Sequence, residues 1–247
     1  MSITMNILFP VYNEERRLER GVRNTAEFLR SSGFDQWRMT IVDNASTDAT
    51  KEIALRLADE IPSVEYLFVP EKGVGVAIRA GFAANEYPLV GYMDIDLSTD
   101  VRHLADVSAI FNGDSKVDVV NGSRWNSGSE TSGRKWYRNI ASHGLTFILQ
   151  SFLGMKATDA ICGFKFFRED AAHYLASISD QNENGWFFVI EMLLRAERSG
   201  MVVRELPVRW RDDHDSTVDV ASVTKGYIRS IGRLRRAFKE EAKGTNQ

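Results

Sequence analysis

Asp94-Ile95-Asp96 closes an almost uninterrupted apolar run, Leu89 to Met93. Runs of that kind read as strands buried on both faces of a parallel sheet. Groups at the carboxyl ends of such strands face the ligand crevice. Residues two apart on an extended segment point the same way. Placed so, two carboxylates can grip one divalent cation, magnesium or manganese, and through it a diphosphate. An isolated Asp-x-Asp also suits two solvated loop acids. A second apolar run, Met39 to Val42, ends in Asp43, and two buried strands that both end in acids are hard to explain by solubility.

Lys72-Gly73-Val74-Gly75 offers a different chemistry. Glycines there let the backbone approach a ligand closely, and the start of the helix that follows attracts anions. The segment is neither a Walker loop nor a dinucleotide fingerprint. Arg79 either reaches the same pocket or is solvated. Glu14 and Asp48 have two readings each, as ligand contacts or as helix-capping acids matched to the helix dipole. His214, within Asp213-His214-Asp215, either adds a metal ligand or is solvated.

Alternating elements must position these groups. Asn6 to Phe9 reads as a strand stopped by Pro10, and a helix capped by Asn13 follows with Leu18, Val22, Ala26 and Leu29 on one face. Met39 to Val42 is a second strand, and Ser46 caps a helix bearing Ile53, Ala54 and Leu57. Val64 to Val69 is a third strand, Val74 to Ala84 a helix, Leu89 to Met93 a fourth strand and Val117 to Val120 another. Strands alternating with helices predict an α/β fold with a mostly parallel central sheet flanked by helices. Asn121 to Lys135 then reads as a loop, Trp136 to Leu153 as a long apolar helix, Ala160 to Phe167 as a strand and Trp186 to Ser199 as a helix. Met201 to Trp210 is extended, and Pro207 places it near a sheet edge. No linker interrupts the chain. The expected division is a single domain over residues 1–217, with a nucleotide-sugar half at 1–100 and an acceptor half at 101–217, and a basic amphipathic helix at 218–247.

At 43% hydrophobic and 26% charged residues, the 247-residue chain has ample material for one large core. A net charge of -3 gives no global signal for a nucleic-acid partner. The charge is uneven, however. From Asp219 to Gln247, seven basic residues stand against three acids, so that tail is +4 and the remainder -7. Val223, Tyr227, Ile231, Leu234 and Phe238 form one stripe there, and Lys225, Arg229, Arg236, Lys239 and Lys243 fall roughly opposite at ~3.6 residues per turn. This helix, over 220–243, either packs on the core with a solvated back or rests its basic face on anionic lipid. No apolar run approaches the ~20 residues of a membrane span. Met1 to Asn6 lacks the charged and apolar regions of a leader. Cys162 is the only cysteine, which fits a reducing compartment. The expected location is cytoplasmic, peripheral on the inner face of a membrane.

Pro10-Val11-Tyr12-Asn13-Glu14-Glu15 and Val42-Asp43-Asn44-Ala45-Ser46-Thr47-Asp48 resemble the nucleotide-binding segments of family 2 glycosyltransferases, which have the GT-A fold. The family shows an Asp-Gly-Ser turn where this chain has Asn44-Ala45-Ser46, and Gly-Lys-Gly where it has Glu71-Lys72-Gly73. The resemblance implies that Pro10, Tyr12, Glu14 and Asp43 hold the base and ribose and that Lys72 and Gly73 line the donor site. It also implies that Asp96 binds the metal and that Asp94 sits against nucleotide and metal. Gly122-Ser123-Arg124, Arg134-Lys135-Trp136-Tyr137-Arg138, Asp159-Ala160-Ile161-Cys162-Gly163-Phe164-Lys165, Trp186-Phe187-Phe188 with Glu191, and Glu205-Leu206-Pro207-Val208-Arg209-Trp210 look like dolichyl- and polyprenyl-phosphate sugar synthases. The Cys-Gly-Phe-Lys and Trp-Phe-Phe elements look most like the glucosyl branch. The resemblance spans about Met5 to Thr217.

It implies an inverting, metal-dependent hexosyl transfer from a nucleotide sugar, UDP-glucose before GDP-mannose, to a polyprenyl phosphate. Such a phosphate is ionised at neutral pH and needs cations more than a base. Arg124, Arg134 and Arg138 are the candidates, and Lys165 either holds phosphate or pairs structurally. A sugar hydroxyl or soluble acceptor would need a carboxylate base, and Asp159 suits either route. Trp186 and Glu191 are read as partly structural. A nucleotide-sugar sensor is the non-enzyme alternative, against which the intact Asp94, Asp96 and Asp159 argue.

Overall fold

The computed structural model describes residues 4–34, 36–134, 136–212 and 220–244, and only the backbone of residues 220–225 and 244. His214 and its neighbours, Lys135, and the side chains of Val223 and Lys225 lie outside the described set.

In chain order the elements begin β1 (Met5–Val11), α1 (Leu18–Ser31), β2 (Trp37–Asn44), α2 (Thr50–Glu60), β3 (Val64–Val69), α3 (Val74–Ala83) and β4 (Leu89–Met93). They continue α4 (His103–Gly113), β5 (Val117–Ser123), β6 (Glu130–Ser132), α5 (Trp136–Leu153), β7 (Phe164–Arg168), α6 (Glu169–Ile178), α7 (Phe187–Arg198), β8 (Val202–Pro207), β9 (Arg209–Arg211) and α8 (Val220–Gly244). Seven strands form one sheet in the order β3-β2-β1-β4-β7-β5-β8. All neighbours in it are parallel except β7, which runs against both β4 and β5. Strands from both halves of the chain therefore share a single sheet. β8 is an edge, as Pro207 requires.

Alternate residues of the strands feed two cores. Ile7 and Phe9 of β1 pack with α1, α2 and α4 on one face. Leu8 of β1, Val90 and Tyr92 of β4 pack with α3, α6 and α7 on the other. A third cluster joins Leu149 and Leu153 of α5, Ile190 and Leu193 of α7, and Ile231, Leu234 and Phe238 of α8. The apolar stripe of the last helix thus packs on the protein, and Arg229, Arg236, Lys239 and Lys243 face outward. Among the described residues, no helix is long and apolar enough to cross a membrane.

Several local expectations need correction. Pro10 does not stop β1. It lies past the end of the β1–β4 ladder, which finishes at Leu8 and Tyr92, while β1 stays paired with β2 through Val11 and Asp43. Asn13 and Ser46 are not helix caps, because α1 begins at Leu18 and α2 at Thr50. β7 starts only at Phe164, since Ala160 to Gly163 form a turn against the strand ends. The short elements α4, α6 and β6 lie outside the elements expected from the sequence.

Three strands of the sheet are followed or ended by strained backbone. Asn13, Ala45 and Leu97 have φ of 56°, 67° and 57°, and they are the non-glycine residues with positive φ among the described residues. They follow β1, β2 and β4 at adjacent carboxyl ends. Asn tolerates this region, whereas alanine has no polar side chain to compensate and pays about 1–2 kcal/mol. Ala45→Gly is therefore expected to stabilise the fold by about 1 kcal/mol, after allowing for the freer unfolded chain. Urea unfolding checks this: the midpoint should rise with an unchanged slope, and a lower midpoint would contradict the strain.

Candidate active site

The carboxyl ends of β1, β2 and β3 are stitched together by side chains from the loops. Asn44 Nδ2 donates to the Val11 carbonyl at 2.6 Å, and its Oδ1 accepts from Gly73 N at 2.9 Å. Asn13 N donates to Ser46 Oγ, and Asn13 Oδ1 accepts from Thr47 N. Asp48 accepts from Thr50 N and Glu15 N, so it joins the start of α2 to the loop after β1 from a position just outside the N-cap, Ala49. Asp43 is wholly buried, and its two oxygens accept from Ser46 N and Tyr66 Oη. It thereby links the end of β2 to β3 and to the turn that follows β2.

The Lys72 ammonium sits 3.9 Å from the centroid of the Tyr12 ring, a cation–π contact that fixes both. Pro10 lies half-buried beside them at the end of β1. Glu14 holds Arg17 through two bonds of 2.7 and 2.9 Å. Gly73 has φ of 152°, and a Cβ there would lie 2.3 Å from the Asn184 carbonyl. Gly75 N donates to that same carbonyl. Arg79 donates to Glu183 O and Asn184 Oδ1, so it clamps this loop to α3.

Asp94 and Asp96 lie just beyond β4, in a turn with Leu97 in the left-handed region, so strand alternation is not what brings them together. Asp96 Oδ1 accepts from Ser98 N at 2.8 Å. Its Oδ2, and both oxygens of Asp94, have no hydrogen-bond donor among the described residues. Asp94 rests on the Cα of Gly163, where an added Cβ would meet its Oδ2 at 2.0 Å. Burial first, then the charge of Asp96, pushes the Asp94 carboxyl up to about 8. Two under-satisfied acids that repel each other fit a hard cation with oxygen ligands. Among the described residues no third histidine, cysteine or acid completes a metal shell. The remaining ligands would have to come from a diphosphate and water.

The second half contributes a buried ion pair. Arg124 Nε and Nη2 meet Asp159 Oδ2 and Oδ1 at 2.7 and 2.8 Å, and the pair is almost fully enclosed. Arg124 N and Ile161 N add two more bonds to the same carboxylate. Burial opposes ionisation of Asp159, but Arg124 outweighs it and keeps the carboxyl below its usual range. Asp159 is therefore an ion-paired carboxylate with four bonds, and Arg124 commits Nε and Nη2 to it. Lys165 is also fully buried, where its ammonium donates to the Cys162 carbonyl at 2.6 Å. That bond ties β7 to the turn before it. Arg138 pairs with Asp212 at 3.1 Å.

Arg134 differs. Its guanidinium carbon lies 5.4 Å from the rings of both Trp125 and Trp210, and Arg124 shares the same two indoles. Nη2 donates to Ser142 Oγ. Nε and Nη1 are buried without a partner among the described residues. Burial, then repulsion from Arg124, lowers its pKa to about 10. Trp125 Nε1, Asn139 Oδ1 and Thr146 Oγ1 nearby are buried without partners too. Buried polar groups are normally bonded, so this cluster marks a place for a polar ligand. Trp125 is the residue of this cluster that the sequence did not single out; Gly163 and Trp210 entered only as members of the Asp159–Lys165 and Glu205–Trp210 motifs, with no sign that they meet Asp94 and Arg134.

The model of the family described as "Glycosyl transferase family 2" matches residues 6–175. Glycosyltransferase AglD of Haloferax volcanii is 34% identical over 88% of this chain, which spans 35% of that relative's length. Dolichyl-phosphate beta-glucosyltransferase ALG5A of Trichomonas vaginalis is 28% identical over 91% of this chain and 71% of the relative. Among solved structures, glucosyl-3-phosphoglycerate synthase from Mycobacterium tuberculosis, in complex with Mn2+, UDP and glucosyl-3-phosphoglycerate, superposes with a TM-score of 0.64 at 16% identity, over 90% of this chain and 75% of that one. The fold is that of GT-A enzymes.

The Asp94 carboxyl gives a pH-dependent test. Its pKa is raised in the fold, so ionisation costs stability once pH passes the unfolded value near ~4, and the cost grows until about 8. Asp94→Asn removes that cost. In EDTA, the variant's Tm should exceed that of the wild type, with a gap that widens between about pH 5 and about pH 8. A variant that melts earlier at both values would show that the acids do not repel.

Proposed function

Because the chain belongs to glycosyl transferase family 2, it is a glycosyltransferase, and we propose that it moves a hexose from a nucleotide sugar to a polyprenyl or dolichyl phosphate. UDP-glucose is the favoured donor and GDP-mannose the next. The names of the relatives support this reading, since several are dolichyl-phosphate beta-glucosyltransferases. The observation that carries it is Arg134, with two buried guanidinium nitrogens that lack an acceptor among the described residues, beside a second, already neutralised arginine.

The residues divide the work. Tyr12 and Lys72, with the glycine turn at Gly73, line the donor crevice above Asp43. Asp94 and Asp96 would hold Mg2+ or Mn2+, which supplies charge neutralisation to the departing diphosphate. Arg134 accepts the acceptor phosphate through charge-assisted bonds that orient one oxygen toward the anomeric carbon. That oxygen forms the new bond from the face opposite the breaking diphosphate bond, which inverts the anomeric centre. No base is needed, because the nucleophile arrives ionised. A sugar hydroxyl would need one, and the acid expected to serve, Asp159, is locked to Arg124.

Incubation of radiolabelled UDP-glucose with a short polyprenyl phosphate and Mn2+ tests the proposal. A lipid-linked glucose is expected, and transfer only to soluble hydroxyl acceptors would overturn it. Arg134→Ala should raise the acceptor KM roughly tenfold or more, the loss of about 1.5–3 kcal/mol for a charged hydrogen bond. Nucleotide affinity by calorimetry should stay constant. An equal loss in both would move Arg134 to the donor site.

A further inference from the structure

α5 faces the wrong way for a helix packed on a core. Its inward side carries Ser142 and Thr146 with Leu149 and Leu153. Its outward side carries Trp136, Tyr137, Ile140, Phe147, Ile148 and Phe152, of which Trp136, Ile140 and Phe147 are 73%, 62% and 67% exposed. An apolar face of this size on a folded protein marks an interaction surface. α5 contains no aspartate or glutamate, and its one arginine turns inward to Asp212. α8 packs alongside, where Arg235 lies over the Phe152 ring at 5.5 Å and Ile228 is exposed. The outward side of α8 also presents Arg229, Arg236, Lys239 and Lys243, which have no ion-pair partner among the described residues.

We infer that the outward faces of α5 and α8 together form a docking surface for an anionic lipid bilayer, with the apolar side chains of α5 in the interface and the cations of α8 against the headgroups. Three observations favour lipid. The apolar side chains stand on a single helix face, with the amphipathic rings of Trp136 and Tyr137 at one end, the composition of interfacial helices. The adjoining surface is basic, complementary to an anionic leaflet, and a second copy of this chain would bring the same cations to the same rim. The face also adjoins the arginine proposed to bind phosphate: a single residue separates Arg134 from the start of α5, and its guanidinium bonds to Ser142 on the inner side of that helix. This last point rests on the proposed acceptor. A polyprenyl phosphate keeps its chain in the hydrocarbon and its phosphate at headgroup level, and α5 laid in the interface brings Arg134 to that level. The stripe of α8 is occupied by the core, so the apolar anchor is α5 and the contribution of α8 is charge.

Flotation of the full chain with phosphatidylcholine vesicles, with and without phosphatidylglycerol, tests the inference. The wild type should float with anionic vesicles, and high salt should weaken this. Ile140→Asp/Phe147→Asp should lower recovery at least roughly tenfold with the circular dichroism and Tm unchanged, since both side chains are exposed. Arg236→Glu/Lys239→Glu should weaken binding to anionic vesicles at least roughly fivefold and leave neutral vesicles unaffected. Quenching of Trp fluorescence by brominated lipid should disappear in Trp136→Phe. A wild type that stays with the vesicle-free fraction overturns the inference. So does a dimer in light scattering that Phe147→Asp dissolves, because the face is then a contact between copies. Transfer to detergent-dispersed polyprenyl phosphate separates the two proposals. A chain that transfers but does not float loses only the docking surface, and one that floats but does not transfer loses only the acceptor.

Discussion

A carboxylate enclosed in protein is costly unless it is paired, hydrogen-bonded or neutralised, and at the centre of the second half the Arg124–Asp159 ion pair supplies the first two. Loss of either partner would leave an uncompensated buried charge, a cost of about 3–5 kcal/mol. The pair does more than satisfy itself. It fastens the end of β5 to the turn before β7, and that turn places Gly163 directly beneath Asp94. The same turn offers the Cys162 carbonyl to the Lys165 ammonium, so a second buried cation is held without an acid of its own. Asp94 therefore rests on a platform that the ion pair fixes in register with β4.

The charges that remain unmatched around this platform are informative. Asp94 and Asp96 leave oxygens without donors, and Arg134 leaves nitrogens without acceptors. One side of the site is short of a cation, and the other is short of an anion. A metal-bound diphosphate at the first and a phosphate at the second would balance both. Backbone strain points to the same place, since the left-handed residues Asn13, Ala45 and Leu97 all sit where strands open into the crevice. Strain of this kind persists where surrounding bonds over-determine the backbone, and here the Asn44, Asn13 and Ser46 bonds do so.

The first half was legible because its signals are local. Apolar runs ending in Asp43 and Asp94 mark the strand ends directly, and Lys72-Gly73-Val74-Gly75 marks the turn into α3. The second half hides its signals in distance. Arg124 and Asp159 are 35 residues apart in sequence, and nothing in either segment says that they neutralise each other. Arginines at 124, 134 and 138 look equivalent in the chain, yet two have acids opposite them and one has none. Lys165 reads as a phosphate ligand beside Gly163 and is buried by the antiparallel pairing of β7 with β4. Periodicity identified α5 as an apolar helix, but periodicity cannot say which side of a helix the core takes when polar residues such as Ser142 and Thr146 face inward.

The two halves are coupled through one loop. Asn184 accepts from Gly75 N and Arg79, so residues 183–185 form the outer wall of the donor turn. The same loop meets α8: Glu183 accepts from Ser230, and Asp180 and Glu191 hold Arg233. Between loop and helix lies a cavity of about 440 Å³, lined by Trp186 and Tyr227 among others. Tyr227 packs on Phe187, and Trp186 on Tyr92, which leads directly into Asp94. The helix that presents the basic surface is thus tied by direct contacts to the loop that packs on Gly73 and Gly75, so the two halves share side-chain bonds at this loop as well as the central sheet.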